Sequence, residues 1–354
     1  MAQVKPDKPH ELQLPWAVLS MSLLDATGED LVVGCMDGIY RVKPKEPSFE
    51  KLDEHTSYVS SVQVRESVVM SAGYDGMLQW FDLDQAKRAR QVKLHDFWSW
   101  DMALSPSGSL IASVTGQYLA GGYKYEPAPE REPSVKIVSA DSGEVLHQWS
   151  HVPSVQAVAF SPDSQFVAAG NLMGEVRIWD LRSGELMANW TTPDFTSWGI
   201  IKSHCYLGGI FAMDFTLDSN HLLLAGMGPM HDPMSGNGRQ LWQKWAWRED
   251  PPHKVDETHQ GESGEGLMEA LAVSPAGDQF AMGGRLRGGE WTVGIFDTES
   301  GNRIATLKTG YRVTDLSYAA DAKQLIVVGT QGQPADKEGD TYPHFGRVEV
   351  YKLG

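Results

Sequence analysis

The sequence predicts an all-β chain, an array of four-stranded antiparallel sheets, and three observations carry that prediction. The first is a repeated segment. DMALSPSGSLIAS from Asp101, AVAFSPDSQFVAAG from Ala157 and ALAVSPAGDQFAMGG from Ala270 can be laid over one another, with looser copies in AMDFTLDSNHLLLAG from Ala212 and TDLSYAADAKQLIVVG from Thr314. Each has an alternating apolar run, a tight polar turn and a second short run, the signature of a β-hairpin. The second observation is a third strand with an aromatic near its end: LQWFDL from Leu78, VRIWDL from Val176, VGIFDT from Val293 and VEVYKL from Val348. A turn such as Arg182-Ser183-Gly184 or Glu299-Ser300-Gly301 then leads to a fourth strand such as ELMANW or RIATLK. The third is the recurrence of the unit at roughly 40 to 57 residues, the period of arrays of four-stranded sheets.

First strands begin near Val18, Val59, Trp100, Val155, Phe211, Glu269 and Val313, which makes seven sheets. The last repeat stops after its third strand at Gly354, and a surplus strand around His10 to Trp16 is available to complete it. An array of this kind must complete its last sheet or leave an unpaired edge. At this point the chain resembles the WD40-repeat β-propeller family, in divergent form. The match covers nearly the whole sequence, and the Trp179-Asp180 pair is its most specific piece. The resemblance implies a seven-bladed β-propeller of four-stranded antiparallel blades, closed by an N-terminal strand, about residues 10–16, that completes the last blade, 313–354. One domain then spans residues 1–354.

Several repeats depart from the family pattern. Phe81, Phe296 and Tyr351 stand where the family has Trp, and its Gly-His pair is reduced to the single histidines His55, His95 and His151. In the family such a histidine hydrogen-bonds a second-strand Ser or Thr and a turn Asp, supporting the third-strand Trp. The resemblance therefore implies a structural set of His55, Ser71 and Asp75 in blade two. It implies an incomplete set in blade four, where His151, Trp179 and Asp180 accompany Met173 at the place of the turn Asp. Asp101 and Asp315 occupy corresponding first-strand places near the channel of the implied propeller, either as a polar ring or as residues without chemistry.

Composition narrows the function. Lys+Arg 30 against Asp+Glu 46 gives a formal charge of -16, which repels phosphate backbones and anionic lipid and argues against nucleic-acid binding. No stretch reaches the roughly 18 uninterrupted apolar residues of a membrane span, and MAQVKPDKPHELQLP has no apolar signal core. The expectation is a soluble cytoplasmic protein without membrane insertion, the alternative being an exported mature form. Cys35 and Cys205 are too few for a disulfide framework.

A bare repeat needs roughly 40 to 45 residues, and the excess here can be mapped. Blades three, five and seven carry it between their second and third strands, at residues 116–134, 228–240 and 331–346. The link from blade four to blade five carries it at residues 191–209. In the resembling family these connections emerge on one rim, the top. Ordering a loop costs about 1 to 2 kcal/mol per residue, so something should offset it, and long loops in compact domains are commonly functional. Tyr, Trp and Arg concentrate where interfaces carry their energy. The candidate protein-binding residues are therefore Tyr118, Tyr123, Tyr125, Arg131, Phe195, Trp198, His231, Arg239, Tyr342 and His344. The alternative is a lid, in which these aromatics form a small satellite core.

Chemical motifs are sparse. His231-Asp232, the group His253, Asp256, Glu257 and His259, and His344 have metal-ligand types but no HExxH or CxxC spacing, so neither a metal nor a cofactor is expected. The run REDPPHKVDETHQGESGE, residues 248–265, reads as a solvated acidic edge or as a patch for a basic partner or calcium. In LWQKWAWRED, alternation sends Trp245 and Trp247 to one face and Trp242 to the other, as inter-blade core or as a platform beside Arg239. No nucleophile elbow or phosphate loop is present, and no catalytic residue is assigned. The expectation is a non-enzymatic scaffold, monomeric, binding other proteins, basic ones among them, through an insertion-rich acidic top face. The alternatives are a small-molecule or carbohydrate-binding propeller, a hydrolase or lyase among them, using Trp198, His231, Arg239 and His344 at the channel mouth, and a subunit of a larger assembly.

Overall fold

The computed structural model describes residues 6–116, 130–195, 208–232, 237–260, 266–286, 291–331 and 345–353, with the side chains of 9, 229–232, 237–241 and 286 outside that description. Among the described residues twenty-eight strands form seven four-stranded antiparallel sheets, the blades of a β-propeller. Their first strands are Val18–Leu23, Val59–Arg65, Asp101–Leu104, Val155–Phe160, Gly209–Phe215, Gly266–Val273 and Arg312–Tyr318. Six blades are built from consecutive strands. The seventh takes its fourth strand, Asp7–Leu14, from the N-terminus and pairs it antiparallel with Gly346–Lys352, Leu12 opposite Val348 and Leu14 opposite Gly346.

The chain divides into two compact units. Residues Met1–Leu94, Glu269–Leu286 and Glu290–Gly354 form one, holding blades six, seven, one and two; residues His95–Met268 with Arg287–Gly289 form the other, holding blades three, four and five. Within each unit, second and third strands bury both faces because neighbouring blades cover them, so they read as apolar runs such as LVVGC and FVAAGN. In the first unit Leu14, Val33, Tyr40, Ile326 and Val348 join blades seven and one, and Val32, Val59, Val69 and Phe81 join one and two. In the second unit Val114, Ile137, Val158 and Trp179 join blades three and four. Phe166, Ile178, Phe215, Leu224 and Trp247 join four and five.

The tryptophans of LWQKWAWRED take the packing role. Trp242 is fully buried on one face, while Trp245 stacks on Trp190 at 5.2 Å and Trp247 meets Phe166 edge-on at 5.1 Å on the other. Asp101 and Asp315 act as latches between blades. One carboxylate oxygen of Asp101 accepts the Val158 N–H at 3.0 Å and the other its neighbour Met102 at 2.7 Å. Asp315 holds Met21 and Leu316 in the same way, both at 2.8 Å. Each side chain thus satisfies a backbone donor of the next blade's first strand.

Two segments singled out in the sequence take definite form here. Residues 228–240 are largely a longer hairpin: His221–Asp232 and Asn237–Ala246 stay paired beyond Met227–Gln240 to Met230–Gly238 and Asp232–Asn237. The acidic run after Trp247 contributes His253–Glu257, the fourth strand of blade five. There Lys254 bridges Asp194 and Glu257 at 3.0 and 2.8 Å, so part of the charge is spent internally.

Candidate functional site

The links that enter blades two, three and four share one construction, and the exposed aromatics stand on it. In blade two, buried His55 lies 2.9 Å from Ser71 Oγ through Nε2 and 3.0 Å from Asp75 through Nδ1. Asp75 also accepts the N–H groups of Thr56 at 3.1 Å and Met77 at 3.0 Å, tying the link to the turn. Burial opposes the charge on Asp75, but the His55 hydrogen bond and these donors outweigh it and hold the carboxyl below its ordinary value. Three residues after His55, Tyr58 is 41% exposed, its ring 5.6 Å from Tyr74. The set expected from His55, Ser71 and Asp75 is therefore assembled, with Phe81 buried in the core at the Trp position.

Blade three repeats the design with a different acid. His95 Nε2 lies 2.9 Å from Ser113 Oγ, which also meets Ser99 Oγ at 2.9 Å. The turn that should supply an aspartate is replaced by the insertion, and Glu132 at its far end takes the place. Its carboxylate accepts Asp96 N–H at 2.9 Å and Phe97 N–H at 3.1 Å, lies 3.7 Å from His95 Nδ1 and pairs with Lys136 at 2.9 Å. Burial resists this charge, but the contacts with His95, Lys136 and Phe97 N–H prevail and hold Glu132 at about 2. At the other root the Gly116 carbonyl accepts Trp100 Nε1–H at 2.8 Å and Ser154 Oγ–H at 2.6 Å. Gly116 sits at φ +136°, and a Cβ there would come 2.7 Å from Ser154 Cα, so only glycine fits this exit.

Between the two roots lies an aromatic cluster. Phe97 and Trp98 stack at 5.1 Å and 11°, and Trp100 meets them edge-on at 6.3 and 5.3 Å. Trp98 is 41% exposed and its carbonyl accepts Thr115 Oγ1–H at 2.7 Å. Trp98 and Tyr58 both stand three residues after their histidines. Arg131, next to Glu132, is exposed.

Blade four shows a third variant. Asn171, two residues before Met173, accepts the N–H groups of Met173 and Glu175 at 2.9 and 3.0 Å and donates to the Val152 carbonyl at 3.1 Å. It does the turn-to-link work that Asp75 does in blade two. His151 donates through Nε2 to the Ala169 carbonyl at 3.2 Å and meets Trp179 edge-on at 6.1 Å. Complete burial pushes its pKa down to about 3, so it stays neutral. Trp179 is stacked on Trp149 at 4.8 Å, and Asp180 caps the following turn through Ser183 N–H at 2.7 Å.

Of the sequence-selected residues, Arg131 is exposed and directly precedes Glu132 in the chain. Phe195 needs correction as a contact residue: the 3-10 turn Pro193–Phe195 points it inward, where it is fully buried in the core between blades four and five. Gly174 and Gly226 make room for it, since a Cβ on either would stand 3.2 or 3.1 Å from its atoms. Tyr118, Tyr123, Tyr125, Trp198, Tyr342 and His344 lie outside the described residues, and the side chains of His231 and Arg239 do too. Sequence reading passed over Phe97, Trp98, Glu132 and Asn171. The dense aromatics of DFWSW directly after a network histidine were the available signal. Among the described residues no three His, Cys, Asp or Glu side chains gather to hold a metal. His259 pairs with Asp256 at 3.1 Å while His253 faces Glu249 at 3.5 Å, so that group diverges. Among the described residues no helix is long and apolar enough to cross a membrane.

Comparison with known proteins adds the following. Residues 143–180 match the family model "WD domain, G-beta repeat", WD40. A 103-residue stretch, 29% of the chain, is 31% identical to telomerase protein component 1 of Rattus norvegicus and 30% identical to that of Mus musculus. The chain spans about 3% of the length of these relatives.

Proposed function

We propose that this chain, a seven-bladed β-propeller carrying a WD40 repeat at residues 143–180, is a non-enzymatic protein-binding scaffold. Its contact surface is built on the blade-three entry link and the described ends of the blade-three insertion, Gly116 and residues 130–134. WD40 propellers typically serve as protein-interaction scaffolds, which is the coarse part of this reading. The finer part rests on one observation: Trp98 stands 41% exposed on Phe97 and Trp100, on a link clamped by Glu132. A large apolar side chain held rigidly at the surface loses little entropy on association, and Trp, Tyr and Arg dominate interface energies. Arg131 extends this chemistry. The similar telomerase components are, by their name, parts of a larger assembly, which is compatible with a binding role for this chain. With a net charge of -16, a partner with a basic surface would associate faster at low salt.

The test is affinity capture with the intact protein beside Trp98→Ala, Arg131→Ala and the variant carrying both substitutions. Both side chains are exposed, so the fold should hold, as far-UV circular dichroism would check. Loss of an anchoring aromatic should weaken capture about tenfold or more, on the scale of an interface anchor worth ~1.4 kcal/mol or above. Recovery of the same proteins in the same amounts by the doubly substituted protein would overturn the reading.

A further inference from the structure

A second surface lies on blade two, along its fourth strand. The fourth strand, Lys87–Lys93, reads KRARQVK, four cations in seven residues, with every position exposed except half-buried Val92. It does so in a chain of net charge -16. The strand ends the order of its sheet, so its outer edge presents unpaired backbone donors and acceptors. Lysine on an edge commonly guards against pairing. Here three of the four cations are drawn off the edge instead. Arg88 forms a two-pronged pair with Asp53, both contacts at 2.7 Å, and donates to the Glu54 carbonyl at 2.8 Å. Arg90 lies over the Trp80 ring at 5.8 Å, and Lys93 donates to the Asp75 carbonyl at 2.7 Å.

Only Arg88 has thereby found a carboxylate; among the described residues Lys87, Arg90 and Lys93 have none within ion-pair distance. Asp82, opposite Lys87, is turned to the Gln85 backbone and side-chain amides at 2.9 and 2.7 Å. Register completes the arrangement. Arg88 pairs with Phe81 and Arg90 with Trp80, leaving Ala89 as the extra residue of a bulge. Lys87 and Arg90 therefore share the face of Asp82 and Trp80, two ladder positions apart, which is the side-chain repeat of one strand face.

We propose that this edge docks an extended acidic segment of a partner protein, which adds a fifth strand to blade two. Its backbone would pair with the free edge, and carboxylates at alternate positions would meet Lys87 and Arg90. The local field decides this despite the chain's net charge, because distant carboxylates are screened beyond about 8 Å at physiological ionic strength.

The probe is an eight-residue peptide alternating Glu with Val and Thr, beside the same peptide with Gln for Glu, titrated against the full-length protein. Binding should weaken about tenfold with the Gln peptide and with Lys87→Glu/Arg90→Glu, and Lys87→Gln/Arg90→Gln should fall between. Amide hydrogen exchange should slow within residues 87–93 when the Glu peptide binds. Three results would each overturn the proposal: undiminished binding to the reversed-charge variant, binding without protection of residues 87–93, or equal competition by inorganic polyphosphate, which would mark a general anion surface. Self-association that the same variant abolishes, with no peptide binding, would assign the edge to a second copy and overturn it as well.

Discussion

His55 shows what one side chain does here. It spans Ser71 and Asp75 from a fully buried position, so neither ring nitrogen can turn to water if a partner is lost. His55→Ala and Asp75→Asn should each cost about 1 to 3 kcal/mol, the price of a buried polar group left without its partner, measured as a lower urea midpoint at unchanged slope. His151 behaves differently because it is buried neutral. Its folded pKa of about 3 lies below the ordinary 6.5, so between those values the unfolded chain binds a proton that the folded chain refuses. Its contribution is complete above pH 6.5 and declines by about 1.4 kcal/mol per pH unit as pH falls toward 3. Urea titrations at pH 7.5 and 5.5 should show that decline, and His151→Gln should flatten it; identical slopes in the two proteins would refute the assignment. Neither role for Asn171 was legible from spacing, because the oxygen needed by the turn can come from either of two positions.

At the scale of an element, the blade-three insertion is fastened at both roots, by Gly116 and by Glu132. Glu132 sits far below its ordinary carboxyl value, so its hold is complete above about pH 4.5 and is released as pH falls toward 2. Glu132→Gln should leave the link's N–H groups with a weaker acceptor and lose the Lys136 pair. Its expected outcome is weakened partner capture with a red shift and broadening of tryptophan emission from the Trp98 cluster, at a stability cost of about 1 to 2 kcal/mol. Unchanged emission and capture would show that Glu132 does not position the cluster. The fourth strands differ from one another in the same instructive way. KRARQVK carries four cations, whereas VLHQW and LMANWT carry no formal charge, so blades with one architecture present distinct edges.

At the scale of the whole molecule, blade seven is made from both ends of the chain. Leu12 and Leu14 of the N-terminal strand are core residues, and Lys8 reaches buried Glu349 at 3.0 Å, where Tyr311 also donates at 3.1 Å and Tyr351 joins them. Removing residues 1–14 would expose the edge of Gly346–Lys352 and strip two buried leucines, a loss of several kcal/mol on the scale of ~2 to 5 for each such truncation. Thermal denaturation should fall accordingly and hydrogen exchange should quicken in residues 346–352; an unaltered melting temperature would argue against the N-terminal strand as a stabilising part of that blade. The amino-acid sequence by itself determined the number of blades, their strand order and the borrowed strand, because hairpin alternation, turn residues and period are local and repeat seven times. The resemblance carried by its repeats also implied the His55, Ser71 and Asp75 set. Only the tertiary structure decided that Phe195 packs inward, that Glu132 replaces a turn aspartate across an insertion, and that Trp98 rather than its neighbours faces outward. Those outcomes depend on which surfaces meet once the blades pack, and contacts between residues far apart in the chain leave no periodic trace in it.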